Sequence, residues 1–331
     1  MIKAKNIHLG FTSKTSSTIL LENVSFDLSE GMLYSILGSN GKGKTTLMKA
    51  LTAFHKPMKG EVLLQNKNIN SYSYQGLSRL ISVVFTEKTQ VEYMSVFEMV
   101  SLGRAPYTGF YGSLNSNDLR VISNSMNLCG ISHLKHRNVA TLSDGEYQKT
   151  LIAKALAQET PIIFMDEPAN YLDAAGRITL MKLLRNLVRN EKKTIVLSMH
   201  EIDLAIKYSD KILMFNGNKK LKMGMPEDLI LNGSINGLFA SQGLVFNIHE
   251  GIFHDQNEEK VQVKIEAPEI LKIWILNALK RYEVFSSSLA QNISISMNKD
   301  LFVYHENKEI MGEFESIETL INHMLKNISY E

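Results

Sequence analysis

The chain has 331 residues, 44% of them hydrophobic, and a formal net charge of +2 at pH 7. This length exceeds that of one typical domain, so it predicts a second, smaller one. Acidic and basic residues are interspersed and form no dense basic tract, which argues against nucleic acid as a partner. The single cysteine, Cys129, excludes an intrachain disulfide and a cysteine-type metal site, and is typical of a reducing compartment.

The sequence contains no segment of the kind that enters a membrane by itself. Residues 1–7 lack the long apolar core of a signal peptide. No stretch reaches the ~20 apolar residues that span a bilayer. The sequence therefore predicts that any association with a membrane is made through partner proteins.

Short strands separated by turns are predicted from residue 1 to about 85. The apolar run 33–37 is one of them, and the pattern G-x-x-x-x-G-K-[ST] follows it directly. The residues of this pattern and the start of the helical stretch behind it are Gly38, Ser39, Asn40, Gly41, Lys42, Gly43, Lys44, Thr45 and Thr46.

This pattern predicts a phosphate-binding loop. Glycines let consecutive backbone N–H groups point at phosphates, and the helix that starts near Lys44 adds its positive end. Lys44 is expected to reach the β- and γ-phosphates of a nucleotide, and the hydroxyl of Thr45 to ligate magnesium.

From about residue 87 to 158 the pattern becomes helical, with amphipathic helices predicted over 96–102 and 118–126. Between them, the run Gly103-Arg104-Ala105-Pro106-Tyr107 predicts a break. The run Leu142-Ser143-Asp144-Gly145-Glu146 then precedes a further helical stretch that ends near residue 157.

Two adjacent carboxylates follow the next apolar run, 162–165. Such a run predicts a strand buried on both faces, as in a parallel sheet. Asp166, at its end, is placed to hold magnesium through water, and Glu167 to polarise the water that attacks a γ-phosphate. Taken alone, the pair could also be a solvated acidic turn.

In the order and spacing of these motifs the chain resembles the ABC ATPases. Their signature reads LSGGQ, and this chain matches it at Leu142, Ser143 and Gly145. It departs from the signature at Asp144 and Glu146, which stand in place of Gly and Gln. The resemblance covers about residues 1–245.

Two later motifs extend the resemblance. Asn170-Tyr171-Leu172-Asp173 resembles the D-loop of the family, with Asp173 as its acid, and His200 follows the strand 194–198 as the family's switch histidine does. The resemblance implies that His200 contacts the γ-phosphate and holds Glu167 and the attacking water in place.

The resemblance also implies the fold: an α/β P-loop ABC ATPase cassette with a mainly parallel core sheet, an antiparallel β subdomain and a helical subdomain at about 87–158. Phe11 would stack on adenine, its alternative being a hydrophobic plug. Thr86 stands where the family carries a glutamine that touches magnesium. Its hydroxyl would reach the metal only through a water or not at all, and Glu87 or Gln90 is the alternative.

Two cassettes of this family dimerise head to tail around two ATP molecules. The resemblance therefore implies a homodimer in which Ser143, Gly145 and Glu146 of one subunit act in trans on the γ-phosphate held by Lys44 of the other. ATP and Mg²⁺ are the ligands that it implies.

The run 103–107 resembles the GR-x-P-Y stretch of ATPases from iron-siderophore, haem and cobalamin importers. This implies a peripheral subunit on the cytoplasmic face of the inner membrane, bound to multispan permease subunits and served indirectly by a substrate-binding protein. A soluble ABC ATPase that dimerises in a non-transport process is the alternative. A regulator without hydrolysis is disfavoured because Glu167 and His200 are both present.

Residues 246–331 predict a small accessory α+β domain without a catalytic motif. Its predicted order is β-α-β-β-α, with the helical stripe of Trp274 in its core. The predicted strands and helices cover 261–265, 269–282, 293–297, 301–305 and 316–325.

Overall fold

The computed structural model describes residues 1–12, 17–85, 93–109, 111–216, 219–238, 243–248, 252–255, 264–282, 293–298, 301–306 and 309–327. The predictions for Thr86, Glu87 and Gln90 lie outside these residues. The chain forms two compact units, Met1–His254 and Asp255–Glu331.

Strands and short helices alternate through the first unit. Its strands are β1 (Ile2–Thr12), β2 (Ser17–Leu28), β3 (Leu33–Leu37), β4 (Lys59–Leu64), β5 (Lys67–Asn68), β6 (Ile81–Val84), β7 (Ile162–Met165), β8 (Thr194–Ser198), β9 (Lys211–Asn216), β10 (Lys220–Gly224), β11 (Leu244–Asn247) and β12 (Ile252–Asp255), which ends at the unit boundary. Its α-helices are α1 (Lys44–Leu51), α2 (Tyr74–Ser78), α3 (Val96–Ser101), α4 (Ser116–Leu128), α5 (Asp144–Ala157), α6 (Ala174–Glu191), α7 (Ile202–Tyr208) and α8 (Pro226–Leu231).

The central sheet has the strand order β10-β9-β3-β8-β7-β6. All its pairs are parallel except the edge pair of β9 and β10. Strand β3 is buried on both faces, since Leu33 and Leu37 enter one apolar core and Tyr34 and Ile36 the other. This double burial explains its unbroken apolar run. The carboxyl ends of β3, β7 and β8 meet at one edge, where sheets of this kind bind their ligands.

A second, antiparallel sheet has the order β2-β1-β4-β5. Alternate residues of β1, such as Ile7 and Leu9, are buried in the same core as Leu47, Met48 and Leu51 of α1. The first helix is therefore enclosed between the two sheets, so that the loop at its amino end has a firm support.

Helices α3, α4 and α5 form the helical subdomain, and the run 103–107 ties them together. Arg104 is buried, with Nε 2.8 Å from Asp118 Oδ1 of α4 and Nη1 2.8 Å from the carbonyl of Ala157 at the end of α5. Its guanidinium carbon lies 4.2 Å from the ring centroid of Tyr107, and Arg79 donates to the carbonyl of Pro106. The stretch that resembles the importer motif is thus an internal brace.

The second unit contains β13 (Lys264–Glu266), α9 (Glu269–Lys280), β14 (Ile293–Asn298), β15 (Leu301–Glu306), β16 (Glu309–Phe314) and α10 (Ile317–Asn327). Its sheet order is β13-β14-β15-β16, parallel in the first pair and antiparallel in the others. Strand β16 was not among the predicted elements, because its side chains are largely exposed and show little apolar alternation.

The prediction of Trp274 as a core residue is wrong. Its side chain is 60% exposed, whereas Ile275, Ala278 and Leu279 of the same helix are buried. The apolar residues of α9 extend beyond its buried face, since Ile270 and Ile273 are also exposed, so its periodicity did not decide which of them pack on the sheet.

The end of the first unit lies beyond residue 245. Phe246 of β11 is buried, and Phe253 of β12 packs against the same core. The ring centroids of Phe246 and Phe253 are 5.1 Å apart. Over the described residues, none of the helices has the length and apolar character needed to cross a membrane.

Candidate functional site

The loop between β3 and α1 is shaped by glycines and closed by a lysine. Gly41 and Gly43 have φ values of 77° and 105°, in the region that favours glycine. Lys44 is buried, and its Nζ donates to the carbonyl of Gly38 at 2.8 Å. Gly43 caps α1 without a side-chain hydrogen bond, so the first N–H groups of the helix remain available to an anion.

Glycine at position 43 is favoured mainly by the backbone conformation, and the space beside it is narrow. A Cβ atom added there would lie 3.0 Å from Cδ1 of Leu20 in β2. A side chain would also be strained at this φ.

Thr45 and Asp166 meet at the edge of the sheet. The Oγ1 of Thr45 donates to Oδ2 of Asp166 at 2.7 Å, and Ser198 at the end of β8 donates to Oδ1 at 2.5 Å. Over the described residues no group of three or more His, Cys, Asp or Glu could hold a metal. Magnesium commonly takes one or two protein oxygens and completes its shell with phosphates and water, so this donor pair fits Mg²⁺.

Glu167 has the most constrained carboxylate of the site. Its Oε1 lies 2.7 Å from Nε2 of His200 and 3.7 Å from Nζ of Lys44. Its Oε2 accepts from Nδ2 of Asn170 at 2.5 Å, and its backbone N–H donates to Oγ of Ser198 at 2.9 Å. These contacts hold the carboxylate beside the phosphate loop.

The backbone of Glu167 is itself strained, with φ at 47°. A left-handed conformation in a non-glycine residue costs on the order of 1–3 kcal/mol and is characteristic of functional sites. This conformation occurs directly after β7, at the residue whose carboxylate contacts Lys44 and His200.

The electrostatic state of Lys44 reflects this crowding. Burial lowers the pKa of its amine, while the negative charges of Glu167 and Asp166 act in the opposite direction. The two carboxylates thus favour the charged amine that a triphosphate requires.

Asn170 and Ser198 belong to the site, although the sequence predicted a role for neither of them. The signal for Asn170 is its place three residues after Glu167, in the turn behind a buried strand. The signal for Ser198 is weaker, since the last polar residue of a buried strand has no fixed function. Only the pairing of β7 with β8 brings it to Asp166 and Glu167.

The signature residues form a second cluster. Ser143 is the N-cap of α5 in a capping box with Glu146, which supplies the reciprocal hydrogen bonds. A Cβ atom added to Gly145 would lie 3.2 Å from the carbonyl of Tyr171, so the signature packs against the D-loop backbone. Asp173 caps α6 by accepting from the N–H of Gly176 at 2.7 Å.

Phe11 lies at the end of β1 with 55% of its surface exposed. Its ring centroid is 6.1 Å from that of His55, with the rings tilted at 47°. The exposed ring leaves an area on which a flat base can stack.

A glycine loop closed by a buried lysine, a threonine–aspartate oxygen pair and a glutamate held by histidine form one cluster on a doubly covered parallel sheet. This arrangement defines the class: a P-loop nucleotide hydrolase.

Comparisons with known proteins narrow the class. The family described as ABC transporter matches residues 21–170. An uncharacterized ABC transporter ATP-binding protein of Methanocaldococcus jannaschii is 32% identical over 88% of this chain and 100% of its own length. The petrobactin import ATP-binding protein of Bacillus anthracis is 31% identical over 70% of this chain and 85% of its own length.

A solved structure agrees with these sequence relatives. It is a dimeric, post-hydrolysis ATP-binding cassette bound to ADP and phosphate, similar to this chain with a TM-score of 0.62 and 26% identity. The match covers 68% of this chain and 99% of that one. This chain belongs to the ABC transporter ATP-binding proteins, which confirms the predicted fold class, and it hydrolyses ATP to energise transport.

Proposed function

We propose that this chain is the ATPase subunit of an ABC importer for an iron-siderophore, haem or cobalamin-type substrate. It acts as a homodimer of cassettes on the cytoplasmic face of the inner membrane, beneath separate multispan permease subunits that receive substrate from a binding protein. The observation that carries the ATPase role is the cluster of Lys44, Glu167 and His200 at the carboxyl edge of the sheet. The petrobactin-importing relative supports the substrate class.

The hydrolytic step follows from the geometry of this cluster. Lys44 and the N–H groups at the start of α1 bind the β- and γ-phosphates. Glu167 polarises the attacking water, while His200 and Asn170 fix the two oxygens of its carboxylate. Thr45 and Asp166 would hold Mg²⁺, whose charge would offset the negative charge of the phosphates.

The second half of each site comes from the other cassette. Ser143 and Gly145 stand at the amino end of α5, where a hydroxyl and backbone N–H groups suit a phosphate. In the dimer they face the γ-phosphate held by Lys44 of the other subunit. The contact of Gly145 with the D-loop backbone links this trans site to the turn that carries Asn170.

The permease docks on a cleft of about 600 Å³ between the core sheet and the helical subdomain. Its wall includes Phe54, Tyr74 and Leu102, which are all exposed large hydrophobic residues. Contiguous exposed apolar surface on a soluble domain is characteristic of partner binding. An amphipathic helical segment of the permease fits such a cleft.

The test is affinity purification of the tagged chain from gently solubilised membranes, with mass spectrometry and an ATPase assay on the eluate. Recovery of a multispan permease would support the importer. Recovery from the cytosol with ribosomal or repair factors would instead assign the chain to the soluble ABC ATPases.

Glu167→Gln provides the matched catalytic variant. It keeps the shape of the side chain but removes the carboxylate, so we expect ATP binding to persist while turnover falls at least ~100-fold. Light scattering with ATP and Mg²⁺ should show a stable dimer. A Glu167→Gln chain that remains monomeric would contradict the two-cassette mechanism.

A further inference from the structure

The signature of this chain carries negative charge at the place where the proposed dimer would bind a phosphate. The first turn of α5 carries two acids, Asp144 and Glu146. In the proposed dimer this same turn receives the γ-phosphate bound to the other subunit. Negative charges at an anion-binding helix end oppose that approach, so a nearby cation is needed to offset them.

The two oxygens of the Glu146 carboxylate contact different residues. Its Oε2 accepts from the backbone N–H of Ser143 at 2.8 Å and from the Ser143 hydroxyl at 3.0 Å. Its Oε1 lies 3.3 Å from Nη1 of Arg137. The hydrogen bonds from Ser143 keep the pKa of Glu146 below its ordinary value, with Arg137 and His133 acting in the same direction.

Arg137 is held in place independently of Glu146. Its Nη2 donates to the carbonyl of Thr141 at 2.6 Å, and its Nε donates to the Thr141 hydroxyl at 3.2 Å. Its own carbonyl accepts from the N–H of Val96 at the start of α3. The guanidinium therefore stands beside Glu146 before any nucleotide arrives.

The serine hydroxyl has only one proton to donate. In this structure that proton goes to Glu146, so Ser143 must turn its hydroxyl away before it can donate to a phosphate. When it turns, Glu146 retains the N–H of Ser143 and the guanidinium of Arg137. Arg137 then keeps the carboxylate over the helix cap and offsets its charge.

We propose that Arg137 is a positioning residue for ATP-driven dimerisation, acting through Glu146 on the signature serine. This inference rests on the proposed two-cassette mechanism. The guanidinium of Arg137 lies against Thr141 and Glu146 rather than at the phosphate loop, so we expect binding of ATP to the monomer not to depend on it.

The experiment measures the ATP concentration that gives half-maximal dimer, by light scattering, in the full-length Glu167→Gln chain with Mg²⁺. Arg137→Ala should raise this concentration about fivefold, the upper range for a partly exposed ion pair. Arg137→Lys should restore most of the loss because it retains the charge. Affinity of the monomer for a fluorescent ATP analogue should change less than about twofold.

A double mutant separates the charge effect from a structural one. Glu146→Gln removes the charge that Arg137 offsets, so adding Arg137→Ala to it should change the half-maximal concentration by less than about twofold. An equal loss in both backgrounds would overturn the proposal and assign Arg137 to the Thr141 turn. If Arg137→Ala does not raise the half-maximal ATP concentration in the chain that keeps Glu146, the proposal is overturned as well.

Failure of the wider mechanism gives a different result. If the Glu167→Gln chain forms no dimer at any ATP concentration, the two-cassette mechanism and the role of Arg137 fall together. If it dimerises and Arg137→Ala has no effect, only the role of Arg137 falls. Circular dichroism of each variant checks that the fold is retained.

Discussion

At the scale of single residues, the site depends on how Glu167 is held. His200, Asn170 and Lys44 contact its carboxylate, and the hydroxyl of Ser198 accepts from its backbone N–H. These contacts hold the carboxylate in place before the reaction, so less conformational freedom is lost when the reaction takes place. Positioning of this kind affects the chemical step more than the binding of nucleotide.

Asn170 is the residue on which this can be tested. We expect Asn170→Ala to lower kcat about tenfold with KM nearly unchanged, because Glu167 would keep His200 but lose the donor to its second oxygen. Steady-state ATPase kinetics provide the measurement. Asn190→Ala is the matched control, since Asn190 donates to Asn186 on the outer surface of α6. A rise in KM with unchanged kcat would contradict the positioning role.

At the scale of elements, the run 103–107 has a structural role that its resemblance to an importer motif does not convey. Arg104 joins the turn after α3 to α4 and to the end of α5 through a buried ion pair and a backbone carbonyl. Gly103 is needed at the same place, since a Cβ atom there would lie 2.3 Å from the carbonyl of Lys154. The run keeps α5, and with it the signature, in a fixed relation to α3 and α4.

Breaking this brace should destabilise the first unit. Arg104→Ala leaves Asp118 buried without its cation, so we expect the free energy of unfolding to fall by about 3 kcal/mol. Arg104→Lys should recover only part of it, because an ammonium lacks the planar fork of donors. Arg120→Ala on the exposed face of α4 is the control, with a change within about 0.5 kcal/mol. Denaturant unfolding measures the free energy of unfolding of all three variants. Equal values for the three would contradict the structural role of Arg104.

At the scale of the whole molecule, the boundary between the two units is a matter of packing. The resemblance ends near residue 245, but Phe246 and Phe253 belong to the core of the first unit. Each unit has its own apolar core, the second around Ile275, Ile295 and Tyr304.

Two truncated chains test this boundary. A chain of residues 1–254 keeps both phenylalanines and should bind ATP and unfold cooperatively. A chain of residues 1–245 loses the aromatic pair and should be less stable by about 3 kcal/mol, the cost of removing a buried aromatic side chain. Thermal unfolding with and without ATP compares them. Identical midpoints would show that the two-stranded sheet of β11 and β12 adds nothing to the stability of the core.

The features that could be predicted from the sequence are those whose chemistry is local. The phosphate loop could be predicted because this spacing of glycines, a lysine and a threonine has the same conformation wherever it joins a strand to a helix. The strand before Asp166 could be predicted because burial on both faces requires continuous apolar residues. The family motifs added Phe11, Ser143, Asp173 and His200 as predictions of function.

Contacts between distant segments could not be predicted from the sequence and became visible only in the folded chain. Ser198 reaches Glu167 only because β7 pairs with β8, and Arg137 reaches Glu146 only because the turn before the signature folds back on α5. Helix α9 likewise buries Ile275 rather than Trp274. The physical reason is the same in each case: a local pattern fixes backbone conformation, whereas the partners of a side chain are chosen by long-range packing.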